Sequence, residues 1–318
     1  MSDHLFVMDP LDTIDPGHDT TYVIMREVQN RGGEVWVCQS SDLHVSGGSL
    51  STTSRRVQIK STQNPFSIET ESTGPVTEFD RIWMREDPPF DQAYLHATYM
   101  LSQSPVPVLN DPDGIRATNE KLFILEFPDH IPPTWVGSRP AAAMKFLNQV
   151  GSAVAKTLSG YGGEEVYRLG EGAANPDYTL RELTDDGERT IMLQKFIPSV
   201  TETGDRRIIV LGGDPIGGLT RLPANGDFRA NLHAGGSAGD VYLTETERTI
   251  CEDLKPELLR RGLYLVGLDL IDDRIVEINV TSPTCVQEIN PHMPEPLEKQ
   301  IVSYAEEHVT RRIDSYVG

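Results

Sequence analysis

The first short apolar run of the chain, residues 4–8, reads as a buried strand that stops at Asp9-Pro10. After a loop, Asp19 or Thr20 can cap a helix running to about residue 31, with Gly32 past its end. Residues 34–39 form a second apolar run. This β–loop–α–β opening predicts an open α/β domain with a functional loop at the strand's carboxyl end. Residues 45–60 read as a hairpin turning at Gly47-Gly48, and 60–78 are polar and weakly patterned, a surface excursion. A strand at 80–85 is stopped by Pro88-Pro89, and is followed by a helix at 91–103, a strand at 106–109 and a helix at 112–127.

The prolines within 128–133 mark a linker, beyond which a new unit begins. It reads as a helix (139–149), a strand (153–158), a glycine-rich loop (159–163), a strand (164–169), a further helix and a strand (190–196). Strands near 206–211 and 216–222, a long helix (245–261), a hairpin (263–280) and an amphipathic helix from about 296 to 316 complete the pattern.

The hairpin carries the clearest chemistry. Leu268, Leu270, Val276, Ile278 and Val280 are apolar and share even parity, whereas Asp269, Glu277 and Asn279 fall on the odd face. A two-residue turn would set Asp269 opposite Val276. A three-residue loop or a bulge pairs it with Glu277, and the longer loop is expected. Two carboxylates and an amide oxygen so gathered suit Mg²⁺. A strand face simply exposed to solvent carries the same pattern. Asp272 and Asp273 are assigned to the turn.

Bulk properties narrow the setting. The 318 residues suggest about two domains. No apolar run reaches the ~20 residues of a membrane span, and the first ten residues lack a signal peptide's basic start, so the expected location is the cytoplasm. A net charge of −20 argues against nucleic-acid and anionic-membrane partners, and any nucleotide site needs a local group of cations. That acidity fits plain solubility first, with adaptation to salt as the alternative. The three cysteines are widely spaced and form neither a disulfide framework nor a zinc pattern.

Candidate cations are few. Ser159-Gly160-Tyr161-Gly162-Gly163 lies between strands and can bring backbone N–H groups to phosphate, although a plain hairpin loop looks alike. It is neither a Walker loop nor a dinucleotide fingerprint. Lys156, in an otherwise apolar strand just before the loop, needs an anionic partner. Lys121, on an expected helix, could as well be solvated. The strand through Gln194 and Phe196 could frame an adenine or simply pack. Arg85, Arg206, Arg207, Arg221 and Arg229 lie near strand ends or loops and could hold anions or form surface ion pairs. Asn231, Gly235 and Gly236 add possible donors.

Met84-Arg85-Glu86-Asp87-Pro88-Pro89-Phe90-Asp91, Asn119-Glu120-Lys121-Leu122-Phe123 and Glu277-Ile278-Asn279-Val280-Thr281-Ser282-Pro283-Thr284 resemble the prokaryotic glutathione synthetases, which are ATP-grasp ligases. So do the opening Val7-Met8-Asp9-Pro10 and Arg229-Ala230-Asn231-Leu232-His233-Ala234-Gly235-Gly236, in order along nearly the whole chain. The resemblance implies an α/β (α+β overall) fold: an N-terminal open α/β domain (1–118) followed by a two-part ATP-grasp fold, a central lid (119–197) and a C-terminal domain (198–318). Lys121 and Lys156 would hold ATP phosphates under the loop of Ser159, Gly160, Tyr161, Gly162 and Gly163. Gln194, Lys195, Phe196 and Ile197 would line the adenine pocket. Asp269, Glu277 and Asn279 would hold Mg²⁺, with Mn²⁺ an alternative.

Arg207 would contact the transferring phosphate. Arg85, Arg221 and Arg229 would bind substrate carboxylates or the acyl phosphate, with Asp19, Asn231, Gly235 and Gly236 also at the substrates. Ser282 and Thr284 would seat the amine. The implied reaction joins γ-glutamylcysteine to glycine at the expense of ATP, in a homo-oligomeric enzyme. The alternatives are a ligase for a different peptide acid and amine, or a non-catalytic nucleotide-binding relative. Thr157 and Ser159 stand where the family usually carries proline and aspartate, and 12–18 lacks the lysines often found there.

Overall fold

The computed structural model describes residues 2–60, 62–160, 165–170, 175–224, 227–232 and 235–310. Three sheets follow one another along the chain. The first contains β1 (His4–Val7), β2 (Val35–Cys38), β3 (Leu43–Ser46), β4 (Ser49–Ile59), β5 (Phe66–Pro75), β6 (Arg81–Met84) and β7 (Val108–Leu109). Its order is β3-β4-β2-β1-β6-β7, with β5 pairing β4. β1 runs parallel to β2 and β6, as an open α/β sheet requires. Helix α1 (Thr20–Asn30) starts where Asp19 accepts a hydrogen bond from Tyr22 N and ends before Gly32 at φ 87°. Helices α2 (Gln92–Leu101) and α3 (Pro112–Arg116) complete this part.

The second sheet is antiparallel, in the order β10-β9-β11-β8. It comprises β8 (Thr134–Gly137), β9 (Ser152–Thr157), β10 (Val166–Gly170) and β11 (Ile191–Lys195). Helices α4 (Pro140–Val150) and α5 (Pro176–Thr184) back it, sharing a core of Ala143, Leu147, Ala155, Leu180 and Leu193. On β11 the apolar Ile191 and Leu193 face this core, which turns Met192 and Gln194 to the other side.

A short helix α6 (Val200–Thr203) leads into the third sheet, of order β14-β13-β12-β15-β16. Its strands are β12 (Asp205–Leu211), β13 (Asp214–Leu222), β14 (Ser237–Val241), β15 (Leu265–Ile271) and β16 (Arg274–Asn279). Helix α7 (Glu245–Arg261) begins with a reciprocal Thr244–Glu247 capping box and ends at Gly262, φ 68°. It buries Ile250, Leu254 and Leu258 against Ile208, Val210 and Leu268. Helices α8 (Val286–Ile289) and α9 (Leu297–His308) follow. No described helix is long and apolar enough to cross a membrane.

Several expectations are corrected. Within the stretch read as a surface excursion, residues 66–75 form a ten-residue edge strand; seven of its ten residues are exposed, so no apolar alternation marks it. The helix expected over 112–127 stops at Arg116, because the Asn119 side chain accepts from Lys121 N and Leu122 N and starts a separate turn. β8 lies between the stretch read as linker (128–133) and the expected helix (139–149), where no strand was expected, and the small, polar β14 gives no local signal. The last helix ends at His308, with Val309 extended, and the remainder of its expected span, 311–316, lies outside the described residues.

The first and third sheets are joined by one buried side chain. Asn110, directly after β7 and 3% exposed, donates through Nδ2 to Leu265 O and Val280 O, each at 2.8 Å. Its Oδ1 accepts from Tyr264 N and Leu265 N, both at 2.8 Å. All four groups are main-chain atoms at the ends of β15 and β16. Replacing Asn110 by alanine is expected to lower the unfolding free energy by about 2–4 kcal/mol in urea denaturation, since the orphaned groups are buried.

Candidate active site

The metal-type hairpin keeps its expected face parity by an unexpected route. Asp269 pairs with Glu277, but the turn has two residues, Asp272 and Asp273, both with positive φ, rather than three. A register shift beyond Asp269 sets Leu270 opposite Ile275, so Val276 is the extra residue of a bulge. Val276 therefore leaves the core face expected for it and lines a cavity, while Ile275 is fully buried.

That cavity, of about 550 Å³, lies between the second and third sheets. Its floor is a charged ladder. Arg207 on β12, Asp269 on β15 and Glu277 on β16 are cross-strand partners, and Asp205 pairs with Arg221 on β13. Arg207 Nε lies 2.5 Å from Asp269 Oδ1, and Arg207 Nη2 3.0 Å from Oδ2. Arg221 donates to both Asp205 oxygens at 2.7 Å and lies 3.1 Å from Asp269 Oδ2. The four side chains are buried and sum to zero charge.

Burial opposes charge on each of these groups, but partners decide the direction for three. Burial raises Asp269, yet Arg207 and Arg221 outweigh it and hold the carboxyl well below its usual range. Burial lowers Arg221, yet Asp205 and Asp269 hold it well above its ordinary value. Arg207 is likewise raised by Asp269 against burial. For Asp205 burial prevails over Arg221 and its affinity for a proton rises.

Lys156 approaches from β9 of the second sheet, and Lys121 from the segment beside β16. Lys121, 6% exposed, places Nζ 3.3 Å from Glu277 Oε1 and donates to Gly160 O. Lys156 Nζ is 3.3 Å from Val276 O; burial pulls its ammonium below the ordinary value although Glu277 opposes this. Gln194, Lys195, Phe196 and Ile197 line the end of the cavity beyond Lys156. Gln194 is 2% exposed, and neither its Oε1 nor its Nε2 has a hydrogen-bond partner among the described residues. A buried amide with neither atom bonded, on a residue that lines the cavity, is a group that a ligand or water can satisfy.

Asn231, Arg229, Ser282 and Thr284 also line the cavity. Arg229 donates to Asp227, 2.8 Å at Nη2, which draws that carboxyl down to about 2. Other expected residues lie elsewhere. Ser159 is exposed and outside the lining, and Gly235 N and Gly236 N are used by Leu232 O and Asn231 O. Asp19 is the cap of α1. Arg85 lies behind the cavity, donating to Thr21 Oγ1 and Pro283 O, with Nη1 unpartnered among the described residues. Tyr161, Gly162 and Gly163 lie outside the described residues. The start of their loop is held by Thr157, whose Oγ1 donates to Glu165 at 2.6 Å and accepts from Gly160 N at 3.2 Å.

Two site residues escaped the sequence. Asp205 shares the face of Arg207 two residues on, a signal that alternation offered. Glu120 gave none, because it lay within an expected helix. It lines the cavity, and burial, then the charge of Glu277, raises its proton affinity.

Asp269, Glu277 and the Asn279 amide form a set of hard oxygen donors. Among the described residues no cluster of three His, Cys, Asp or Glu could hold a metal. Two carboxylates and an amide fit Mg²⁺, which keeps waters and shares phosphate oxygens. Asn279 Nδ2 lies 3.3 Å from Asp269 Oδ2, so the amide already stands at the carboxylate.

Residues 120–294 match the family model described as prokaryotic glutathione synthetase, ATP-grasp domain, and residues 3–116 its N-terminal domain. The glutathione synthetase of Parasynechococcus marenigrum is 41% identical over 302 residues, covering 94% of this chain and 97% of that protein. That of Thermosynechococcus vestitus is 39% identical over 301 residues, covering 91% and 94%. Among solved structures, the D-cycloserine synthetase DcsG superposes with a TM-score of 0.66 at 16% identity, covering 95% of this chain and 99% of that one. A Chryseobacterium gregarium ATP-grasp ligase in complex with ADP and a leader and core peptide gives 0.64 at 16% identity, covering 98% and 99%. At that identity the likeness is one of fold.

Replacing Arg221 by methionine strands the Asp205 carboxylate and weakens the hold on Asp269. A loss of about 3–5 kcal/mol in unfolding free energy is expected. Lys255→Ala, which breaks the exposed pair with Asp214, should cost under about 1 kcal/mol in the same assay.

Proposed function

Because the chain belongs to the prokaryotic glutathione synthetase family, we infer that its cavity carries out the ATP-dependent ligation of γ-glutamylcysteine with glycine. The chain is an ATP-grasp ligase. The observation that carries the assignment of roles is the meeting, in one cavity, of two lysines with a charge-neutral Arg–Asp cluster.

The proposed roles follow from position. Lys121 and Lys156 neutralise ATP phosphates. Gln194 reads the base, since a carboxamide pairs with the N6 and N7 edge of adenine through its acceptor and donor. Lys195, Phe196 and Ile197 surround the ring. Asp269, Glu277 and Asn279 would hold Mg²⁺, or Mn²⁺ in its place. Bound there, the cation supplies charge neutralisation at the phosphate oxygens. Arg207 faces the transferred phosphoryl group, with Arg221 and Arg229 at the acid substrate, and Ser282 and Thr284 direct the amine. Arg85, behind the 282–284 loop, supports the acid substrate's side of the site, where Asp19, Asn231, Gly235 and Gly236 also belong in this reading. Ser159 and the loop beyond it close over the phosphates.

In this reading the terminal carboxylate of γ-glutamylcysteine attacks the γ-phosphorus of ATP and ADP leaves. The glycine amine then attacks the acyl carbon and phosphate departs. Both steps are served by charge neutralisation and alignment rather than by a protein nucleophile. The acyl phosphate is exposed to hydrolysis, which gives closure over the site its purpose. The domain limits at 118/119 and 197/198, a cytoplasmic location and a homo-oligomeric state belong to the same proposal.

ADP release should require both γ-glutamylcysteine and glycine; turnover indifferent to glycine would sink the assignment. Glu277→Gln should abolish Mg²⁺-dependent turnover in that assay while the protein stays folded. Gln194→Leu should raise the KM for ATP by about tenfold or more, the worth of one base-edge pair.

A further inference from the structure

Glu120 meets the open edge of the third sheet. β16 ends the strand order, so its outward N–H groups have no neighbouring strand to bond. The Glu120 carbonyl oxygen accepts from Ile278 N at 3.0 Å. Its Oε1 accepts from Val280 N at 2.7 Å, Thr281 N at 3.0 Å and Thr281 Oγ1 at 2.9 Å. A single residue thus stands in for the missing strand. The segment it holds contains Glu277 and Asn279 on either side of Ile278, and runs on to Ser282.

The neighbours of Glu120 make the same junction from other directions. Asn119 Nδ2 donates to Leu158 O, just past β9, at 3.2 Å. Lys121 Nζ reaches Glu277 Oε1 at 3.3 Å. The Val280 carbonyl, on the far side of the peptide, is taken by Asn110. A carboxylate beside Glu277 is a costly choice for an edge contact, because the two charges repel in a partly enclosed site.

We propose that Glu120 is a positioning residue for the ligation: by completing the β16 edge it fixes Glu277 and Asn279 against Lys121 and seats the 282–284 loop for the attacking amine. It acts through these groups and touches neither substrate. The inference rests on the function proposed for this site.

The test compares Glu120→Ala with Glu120→Gln, which keeps the Oε1 acceptor. Glycine-dependent kcat, affinity for ADP by titration calorimetry and the unfolding temperature are measured on the full chain. The alanine variant should lose about 100-fold in kcat, the scale of an ångström of misplacement, with ADP affinity held within about threefold. The glutamine variant should keep kcat within about threefold of the unaltered enzyme. An alanine variant that folds and keeps its kcat overturns the proposal, as does a folded glutamine variant as slow as alanine. If the alanine variant does not fold, the glutamine variant alone decides on the same criterion. An unaltered enzyme without glycine-dependent turnover overturns the functional reading instead. Hydrogen exchange at the Val280 and Thr281 amides, which bond the Glu120 side chain, then reads the edge contact. Exchange that is no faster in the alanine variant overturns it.

Discussion

The site depends on one buried anion held between two guanidinium groups. Asp269 cannot stay ionised inside the protein without Arg207 and Arg221, and Arg221 in turn needs Asp205. These four charges cancel, and the further carboxylate of the floor, Glu277, is met by Lys121. In the proposed reaction Asp269 would help to hold the cation, while Arg207 and Arg221 would offer donors to phosphate or carboxylate oxygens.

Antiparallel pairing makes this floor possible. Arg207, Asp269 and Glu277 are neighbours because β12, β15 and β16 stand side by side in register. The bulge at Val276 corrects the parity that a tight two-residue turn would have spoiled. It also brings the Val276 carbonyl to Lys156, so a device that repairs the face serves the opposite wall as well. The apolar residues of the other face lock the same strands onto α7. Packing and site geometry are therefore one constraint. A slip of one residue would expose Leu268 and Ile278 and bury the carboxylates among aliphatic groups.

Regular elements with strong periodicity or caps were legible in the chain: α1 between Asp19 and Gly32, α7 between Thr244 and Gly262, and the apolar face of the β15–β16 hairpin. Elements without a one-sided burial pattern were not. β5 is wet on both faces, β14 is built of small and polar residues, and β8 hides beside prolines. The helix through 112–127 failed for a different reason. Its composition allows a helix, but Asn119 bonds the backbone locally and frees residues 119–121 to meet the end of β9 and the third sheet.

By itself the sequence determined the types of side chain available, the parity of each strand and the family resemblance, because these depend on local order and on runs of neighbouring residues. Parity alone placed Asp269, Glu277 and Asn279 on one face. Partners were decided by tertiary structure. Arg221 meets Asp205 on the neighbouring strand, Glu120 meets Thr281 across 161 positions, and the Gln194 amide is left without a partner among the described residues beside a cavity that exists only when two sheets face each other. Local spacing sets which way a side chain points. What it meets there is set by the energy of burying charge, which only the assembled neighbours can satisfy.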